Sequence, residues 1–429
     1  MNYWDKKGVI MTPQIKQRLD QIQRGEVPKG YRRTKAGLMP IEWCEKREYR
    51  ARDIFRSITN KKHNGEFEVL SATQDKGVVP RSQVDIDIKF DENSVTGYKK
   101  VDCGDFVISL RSFQGGIEYS EYEGLVSPAY TVLKPIMTIC DGYFKAYFKS
   151  NDFISRLNKG TYGIRDGKQI GYEDFGDMVV HLPPLPEQQK IAEILSAQDK
   201  LIALKEKLIE EKKRQKKHIV HEILSQKIKL QKQDGNKYPQ WDTKIIGTYL
   251  TSRNAKQIPT EDAPLMAFVA DVGVVPKGER YDRSFLVKSD EKEYKRTELN
   301  DFIYSSNNLD VGSIGLNNYG SAVISVVYEI FSVNSNAIPV VISEIIQMKS
   351  NINKILRYRQ GALYGQYRIF AEDFLSVKID VPSFEEQQEI AKIMLSLEKE
   401  IELLQKSLDQ EKQKKKSLMQ LLLTGIVRV

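Results

Sequence analysis

Apolar residues follow one rule in two stretches of this chain and a different rule between them. In residues 386–423, Ile390, Met394, Leu397, Ile401, Leu404 and Leu408 recur at alternating spacings of four and three, and Leu418 and Leu422 resume the pattern. That is the a/d seam of a coiled coil. Residues 187–229 carry a weaker version: Ile191, Leu195, Ile202 and Ile209, then Ile219 and Ile223. Gln198 and Lys205 stand where the second copy has Leu397 and Leu404. Neither stretch contains glycine or proline, so propensity favours helix throughout. A helix of about 40 residues is ~60 Å long, more than any domain of this size needs in its core. The two helices are expected to pack antiparallel on each other, the stronger seam covering the weaker.

Elsewhere the apolar runs are short and rich in β-branched and aromatic residues. Residues 69–72, 105–110 and 129–133 read as strands bounded by Gly, Pro, Asn and Asp. Residues 264–270, 301–304 and 322–328 read the same way, while 152–154 and 344–358 look helical. Near the start, Thr12 and Pro13 predict a helix that runs to Arg24, with Thr12 as N-cap. Gly25 and the Pro28-Lys29-Gly30 turn end it. The class is α+β: two similar mixed α/β globular domains, each followed by a long helix, the two helices forming an antiparallel coiled coil. The expected boundaries are a basic leader at 1–36, a domain at 37–185, a helix at 186–232, a second domain at 233–383 and a second helix at 384–429.

The two halves repeat each other at a spacing of about 200 residues. Glu187-Gln188-Gln189 with Ile191-Ala192 returns as Glu386-Gln387-Gln388 with Ile390-Ala391. Gly77-Val78-Val79-Pro80 returns as Gly273-Val274-Val275-Pro276, and Asp105-Phe106 as Asp301-Phe302. Ser127 and Tyr130 are echoed by Ser325 and Tyr328. Pro40 and Trp43 open the first domain as Pro239 and Trp241 open the second.

Composition adds little to this plan. A net charge of +8 is a mild pointer to a polyanionic partner. No apolar run approaches the ~18 residues of a membrane span, and the mixed, charged first ten residues are no signal peptide. Cys44, Cys103 and Cys140 are too scattered for a disulfide framework or a zinc site, so they are expected as reduced thiols in a cytoplasmic protein. There is no phosphate-binding loop, no dinucleotide fingerprint and no His-Glu-x-x-His motif. An adenine methyltransferase tetrapeptide is also missing, since the only Pro-Pro pair is Pro183-Pro184 without polar lead or aromatic. His218 and His221 share a helix face, but no third ligand lies near them, and they read as solvated. No metal site, catalytic residue or bound cofactor is expected.

What remains is a set of cations and amides in loops. Lys76 and Arg81 flank the first Gly-Val-Val-Pro, and Lys277 and Arg280 follow the second. Such residues suit phosphate contact, although turn chemistry alone also explains the motif. The loops after the two Asp-Phe strands differ: one holds Arg111 and Gln114, the other Asn307 and Asn308, with Asn317 beyond. Arg suits guanine edges, Asn and Gln suit adenine edges, and loop drift is the alternative. Before each long helix lies a segment mixing Gly, Tyr and cations: Lys159, Arg165 and Lys168 in the first, and Arg357, Arg359, Gln366 and Arg368 in the second. Lysine runs at 212–217 and 412–416 are either solvated helix faces or docking surfaces.

On the duplicated Pro-x-x-x-Glu-Gln-Gln-x-Ile-Ala helix starts, the tryptophan-marked domain openings and their spacing, the chain resembles the specificity subunit of Type I restriction–modification systems. The resemblance covers nearly the whole chain. It implies two target recognition domains, each reading one half of a split double-stranded DNA sequence, with the coiled coil as a ruler for the unread gap. It also implies docking of two modification subunits, which use S-adenosylmethionine to methylate adenine, and of restriction/translocase subunits that use ATP and Mg. The helices would dock these partners, and this chain would hold no cofactor of its own. Ser383 and Glu385 stand where the first copy has Pro184 and Pro186, which loosens the second corner. Two other readings stay open: a coiled-coil scaffold that binds protein rather than DNA, and a fused restriction–methylation enzyme. Salt-dependent DNA binding separates the first, and S-adenosylmethionine binding by the lone chain separates the second.

Overall fold

A computed structural model of the chain describes residues 3–4, 10–45, 47–84, 92–110, 112, 116–160, 170–270, 272–276, 292–307, 309, 313–361 and 367–429. They form two compact units: Met1–Leu208 with Leu404–Val429, and Ile209–Leu403. Both long helices, Leu185–Leu224 and Phe384–Leu423, contribute part of their length to each unit. Among the described residues, no helix is long and apolar enough to cross a membrane.

In the first unit a four-stranded antiparallel sheet runs in the order Glu118–Tyr119, Phe106–Ile108, Thr131–Pro135, Phe55–Ile58. In the second unit the order Ile314–Leu316, Phe302–Ser305, Tyr328–Val333, Leu250–Ser252 is the same path. Each unit adds a hairpin, Leu70–Thr73 with Gly77–Pro80 and Met266–Val269 with Gly273–Pro276. The sequence repeat is therefore a structural repeat. Its glycine is required: Gly77 and Gly273 have φ of +79° and +94°, and a Cβ would lie 2.8 Å from the carbonyls of Tyr119 and Leu316. The Ser/Tyr echo is a turn in both units, Tyr130 N donating to Ser127 O at 3.0 Å and Tyr328 N to Ser325 O at 3.3 Å.

That turn corrects one expectation. Residues 322–328 are not one strand. Ala322–Ile324 pairs with Tyr294–Thr297, and Tyr328–Val333 pairs with Phe302–Ser305, so the chain changes sheets between them. The helical stretch expected at 344–358 begins earlier, at Pro339, and breaks at the extended Met348 into Pro339–Gln347 and Lys349–Ile355. The helix after Thr12 spans Pro13–Gln23, with Thr12 accepting from Ile15 N.

The cores differ in chemistry. The first is aromatic: Phe55 meets Phe106 and Phe144 edge-on at 5.5 and 5.1 Å, and Phe106 meets Phe148 at 5.3 Å. The second packs Ile342, Ile345 and Ile346 of one helix against Phe302, Phe331 and Phe374. The long helices supply both. Ile191, Leu195, Leu422 and Leu423 lie in the first core, and Val220, Ile223, Ile390 and Met394 in the second.

Within each unit the two long helices run antiparallel. In the first, Lys412 pairs with Glu206 at 2.7 Å and Lys415 with Asp199 at 2.5 Å. In the second, Lys212 pairs with Glu400 at 2.7 Å, and Lys216 with Glu398. Ile209, Ile401 and Leu408 are buried, and Ile202, Leu397 and Leu404 half-buried. The seam breaks are not covered by apolar side chains, contrary to expectation. Gln198 is buried and donates to the side chain and carbonyl of Glu411 at 2.8 and 3.2 Å. Lys205 reaches Ser407 at 2.7 Å and Glu411 at 3.1 Å. A buried polar set of this kind fixes register at some cost in stability. The first helix ends at Leu224, short of residue 229, because Gln226 turns to φ 60° and Ile228 N caps Glu222 O at 3.0 Å.

Candidate nucleic-acid interface

The repeated Glu-Gln pair fastens each long helix to its domain. Trp43 Nε1 donates to Glu187 at 2.9 Å, and Trp241 Nε1 to Glu386 at 3.1 Å. Gln188 accepts from Cys140 N at 2.9 Å and donates to Pro183 O at 2.8 Å. Gln387 repeats this with Ile338 N at 2.9 Å and Pro382 O at 3.1 Å. These are positioning residues, and both glutamines are buried. Sequence reasoning recorded the motif and the tryptophans but missed that they bond to each other. The available signal was that each tryptophan precedes its glutamate by nearly the same distance.

Arginines converge at the loop base of the second unit. Gln360 and Arg368 exchange backbone hydrogen bonds at 2.9 and 3.0 Å, which closes the loop. This brings the Arg359 guanidinium over the Tyr367 ring at 5.7 Å and Arg368 over Phe370 at 4.9 Å. Arg357 is exposed on the adjoining turn. Ile369 N donates to Ser306 O at 3.1 Å, so the exposed Asn307 adjoins the same edge. Tyr358 and Tyr367 are 40% and 49% exposed there, an uncommon display of aromatics that suits stacking or phosphate-side contact. Arg368 is partly committed, since it pairs with Glu329 at 3.1 Å.

Asn317 does not belong with them, which corrects its assignment as a base reader. It is 0% exposed, and every polar atom of its side chain is used. Its Nδ2 donates to Thr297 Oγ1 at 3.1 Å and Gly320 O at 2.7 Å, and its Oδ1 accepts from Tyr319 N and Gly320 N. It builds a turn. In the first unit Lys76 is exposed, donating to Gln83 O at 3.3 Å, Arg81 is half-buried, and Lys159 is exposed near the end of the helix Asn151–Gly160. Arg111, Gln114, Arg165, Lys168, Lys277, Arg280, Asn308 and Gln366 lie outside the described residues. His218 and His221 are exposed.

Two buried titrating groups in the first unit oppose each other. His181 places Nδ1 2.9 Å from Leu423 O and Nε2 3.3 Å from Ala36 O. Burial, aided by Arg156, pushes it down to about 4. Burial pushes Glu118 up to about 7 against the pull of Lys149. The stability tied to neutral His181 is present above pH ~6.5 and lost as pH falls toward ~4. The stability tied to protonated Glu118 is present below pH ~4.5 and lost as pH rises through ~7. The two nearly cancel across that window. Glu118→Gln removes the opposing contribution, so between pH 7 and 4.5 the variant is expected to lose about 3 kcal/mol relative to wild type. Denaturant midpoints of both proteins across this range check it, and parallel profiles contradict it.

Comparison with known proteins agrees with this architecture. The family model described as "Type I restriction modification DNA specificity domain" matches residues 44–214 and 223–412. The chain assigned in Methanocaldococcus jannaschii as the specificity subunit of the type I restriction enzyme MjaX is 25% identical, over 93% of this chain and 97% of that one. Among solved structures, the HsdS subunit from Thermoanaerobacter tengcongensis superposes with a TM-score of 0.50 at 13% identity, covering 94% of this chain and 98% of that one. A chain solved in work on complex assembly and conformational transition of the type I R-M system gives 0.53 at 12% identity, covering 94% and 100%. At such identities the structures speak to the fold alone.

Proposed function

Because the chain belongs to the Type I restriction–modification DNA specificity family, we propose that it reads a bipartite DNA sequence with two different half-site readers and leaves methyl transfer and cleavage to partner chains. The family's role is recognition rather than catalysis, and this chain carries two recognition domains. One observation carries the reading. Two copies of a single sheet order bear loops of different chemistry, and the second displays Arg357, Arg359 and Arg368 among exposed tyrosines. Cations there anchor phosphates while neighbouring side chains meet base edges. Two modification subunits supply S-adenosylmethionine chemistry at adenine, and restriction subunits supply ATP- and Mg-dependent translocation and cleavage. The paired helices set the unread gap. The same reading puts the protein in the cytoplasm with its DNA.

The test is the salt dependence of duplex binding by the chain with its modification partner. Each phosphate contact contributes about 0.9 to the slope of log affinity against log salt. Arg357→Ala and Arg359→Ala are each expected to reduce the slope by about one contact and to weaken all sequences alike. A salt-independent affinity would instead favour the protein-binding scaffold.

A further inference from the structure

The two helix clamps are copies, but one is closed and the other open. In the first unit, Glu187 accepts from Trp43 and from Arg428, whose Nε and Nη2 lie 2.5 and 2.8 Å from its two oxygens. The same guanidinium sits 5.6 Å over the Trp43 ring. The leader closes over this clamp: Tyr31 donates to Gly425 O at 2.6 Å, and a Cβ on Gly425 would lie 2.5 Å from Pro40 and 2.9 Å from Trp43. In the second unit the residue two past the helix end is Gln226, also at positive φ, but exposed and carrying a side chain. Among the described residues, Trp241 is the only side chain bonded to the Glu386 carboxylate, and no cation pairs with it. Glu386 is nevertheless 6% exposed, and burial holds its carboxyl above the ordinary range. A cavity of about 350 Å³ lies beside it, lined by Gln226, Ile228, Lys229, Tyr238 and Trp241. Lys229 stands in the position of Arg428 and makes no ion pair among the described residues.

We propose that the Trp241–Glu386 cavity is a binding site for an arginine side chain carried by a partner polypeptide. A planar guanidinium can pair two-pronged with the carboxylate and lie on the indole, as Arg428 does in the sister clamp, whereas an ammonium cannot do both. The rim supports a protein source over a free small molecule. Ile228 is 45% exposed beside the cavity, whereas the equivalent rim of the first unit is covered by the leader, whose Arg18 and Tyr31 donate to the carbonyls of Ile426 and Gly425. The preference for guanidinium stands on these residues alone, while naming the partner as a modification subunit rests on the reading given above.

The experiment uses the full chain labelled with ¹⁵N-tryptophan, the Trp241 indole signal being assigned with Trp241→Phe. N-acetyl-arginine amide should shift that signal saturably in the millimolar range, and N-acetyl-lysine amide should act at least tenfold more weakly. The Trp43 signal, whose clamp is filled, should stay still. Glu386→Gln, which can still accept from Trp241, should weaken the response at least tenfold. The same variant should weaken assembly with the modification subunit about tenfold. The proposal falls if Trp241 does not respond, if lysine amide acts equally, if Glu386→Gln responds like wild type, or if binding appears only in Lys229→Ala, which would make Lys229 the occupant. Unchanged assembly in Glu386→Gln overturns the partner. A wild-type chain that binds no modification subunit while its indole responds would overturn the functional reading instead.

Discussion

Replacing residues 44–180 by the matching segment of another family member is expected to change one half of the methylated DNA sequence and leave the other half untouched. The geometry makes this cut possible. Trp43, His181, Glu187 and Gln188, which fasten the helices, lie outside the exchanged segment; among the described residues the group inside it that hydrogen-bonds a long helix is the backbone N–H of Cys140, and its aromatic core packs on Ile191 and Leu195. Any residue but proline supplies that N–H. Two side chains inside the segment matter to the retained frame. Tyr147 accepts from His181 N at 3.0 Å, and Tyr143 donates to His181 O at 3.1 Å, so the donor segment needs hydroxyls at both places. Each mismatched base pair costs about 1–3 kcal/mol, so several mismatches in the exchanged half lower affinity for the old sequence by orders of magnitude. Sequencing of methylated adenines in cells that also carry the modification partner reads the outcome. A change in both halves, or in neither, would refute independent readers.

The second large effect concerns two copies of one residue. Glu187→Ala removes the acceptor of the Trp43 indole and two of the hydrogen bonds of Arg428, which keeps only the exposed Glu42 at 2.8 Å. Losing a buried, charged acceptor shared in this way costs about 2–4 kcal/mol. Glu386→Ala removes one acceptor from a part-exposed indole, worth about 1–2 kcal/mol. Hydrogen exchange resolved by unit should show the first unit opening far more readily in Glu187→Ala than the second does in Glu386→Ala. Equal losses would mean that Arg428 adds nothing to its clamp.

Much of the fold could be read from residue order. The long helices announced themselves through a four-and-three spacing and the lack of Gly and Pro, and both appear within a few residues of expectation. The errors share a cause. A run of β-branched and aromatic residues, Val323-Ile324 and Val326-Val327-Tyr328, continued straight across Ser325, and only the pairing partners reveal that the chain changes sheets there. Gln198 and Lys205 looked like weak points because their acceptor, Glu411, is more than 200 residues away. Asn317 looked like an adenine reader because an amide in a loop has the same letters whether it faces solvent or its own turn. Periodicity reports local exposure, and polar pairing at long range leaves no period.

The first unit is assembled from two stretches far apart in sequence, residues 1–208 and 404–429, since Leu422 and Leu423 lie in its aromatic core. During synthesis, at about 5–20 residues per second, the nascent front half must wait, its core unfinished, until every residue of the second unit has been made. Frameshifts or stop codons among the codons for residues 404–429 would therefore cripple the reader that was translated first, and the later one would be spared.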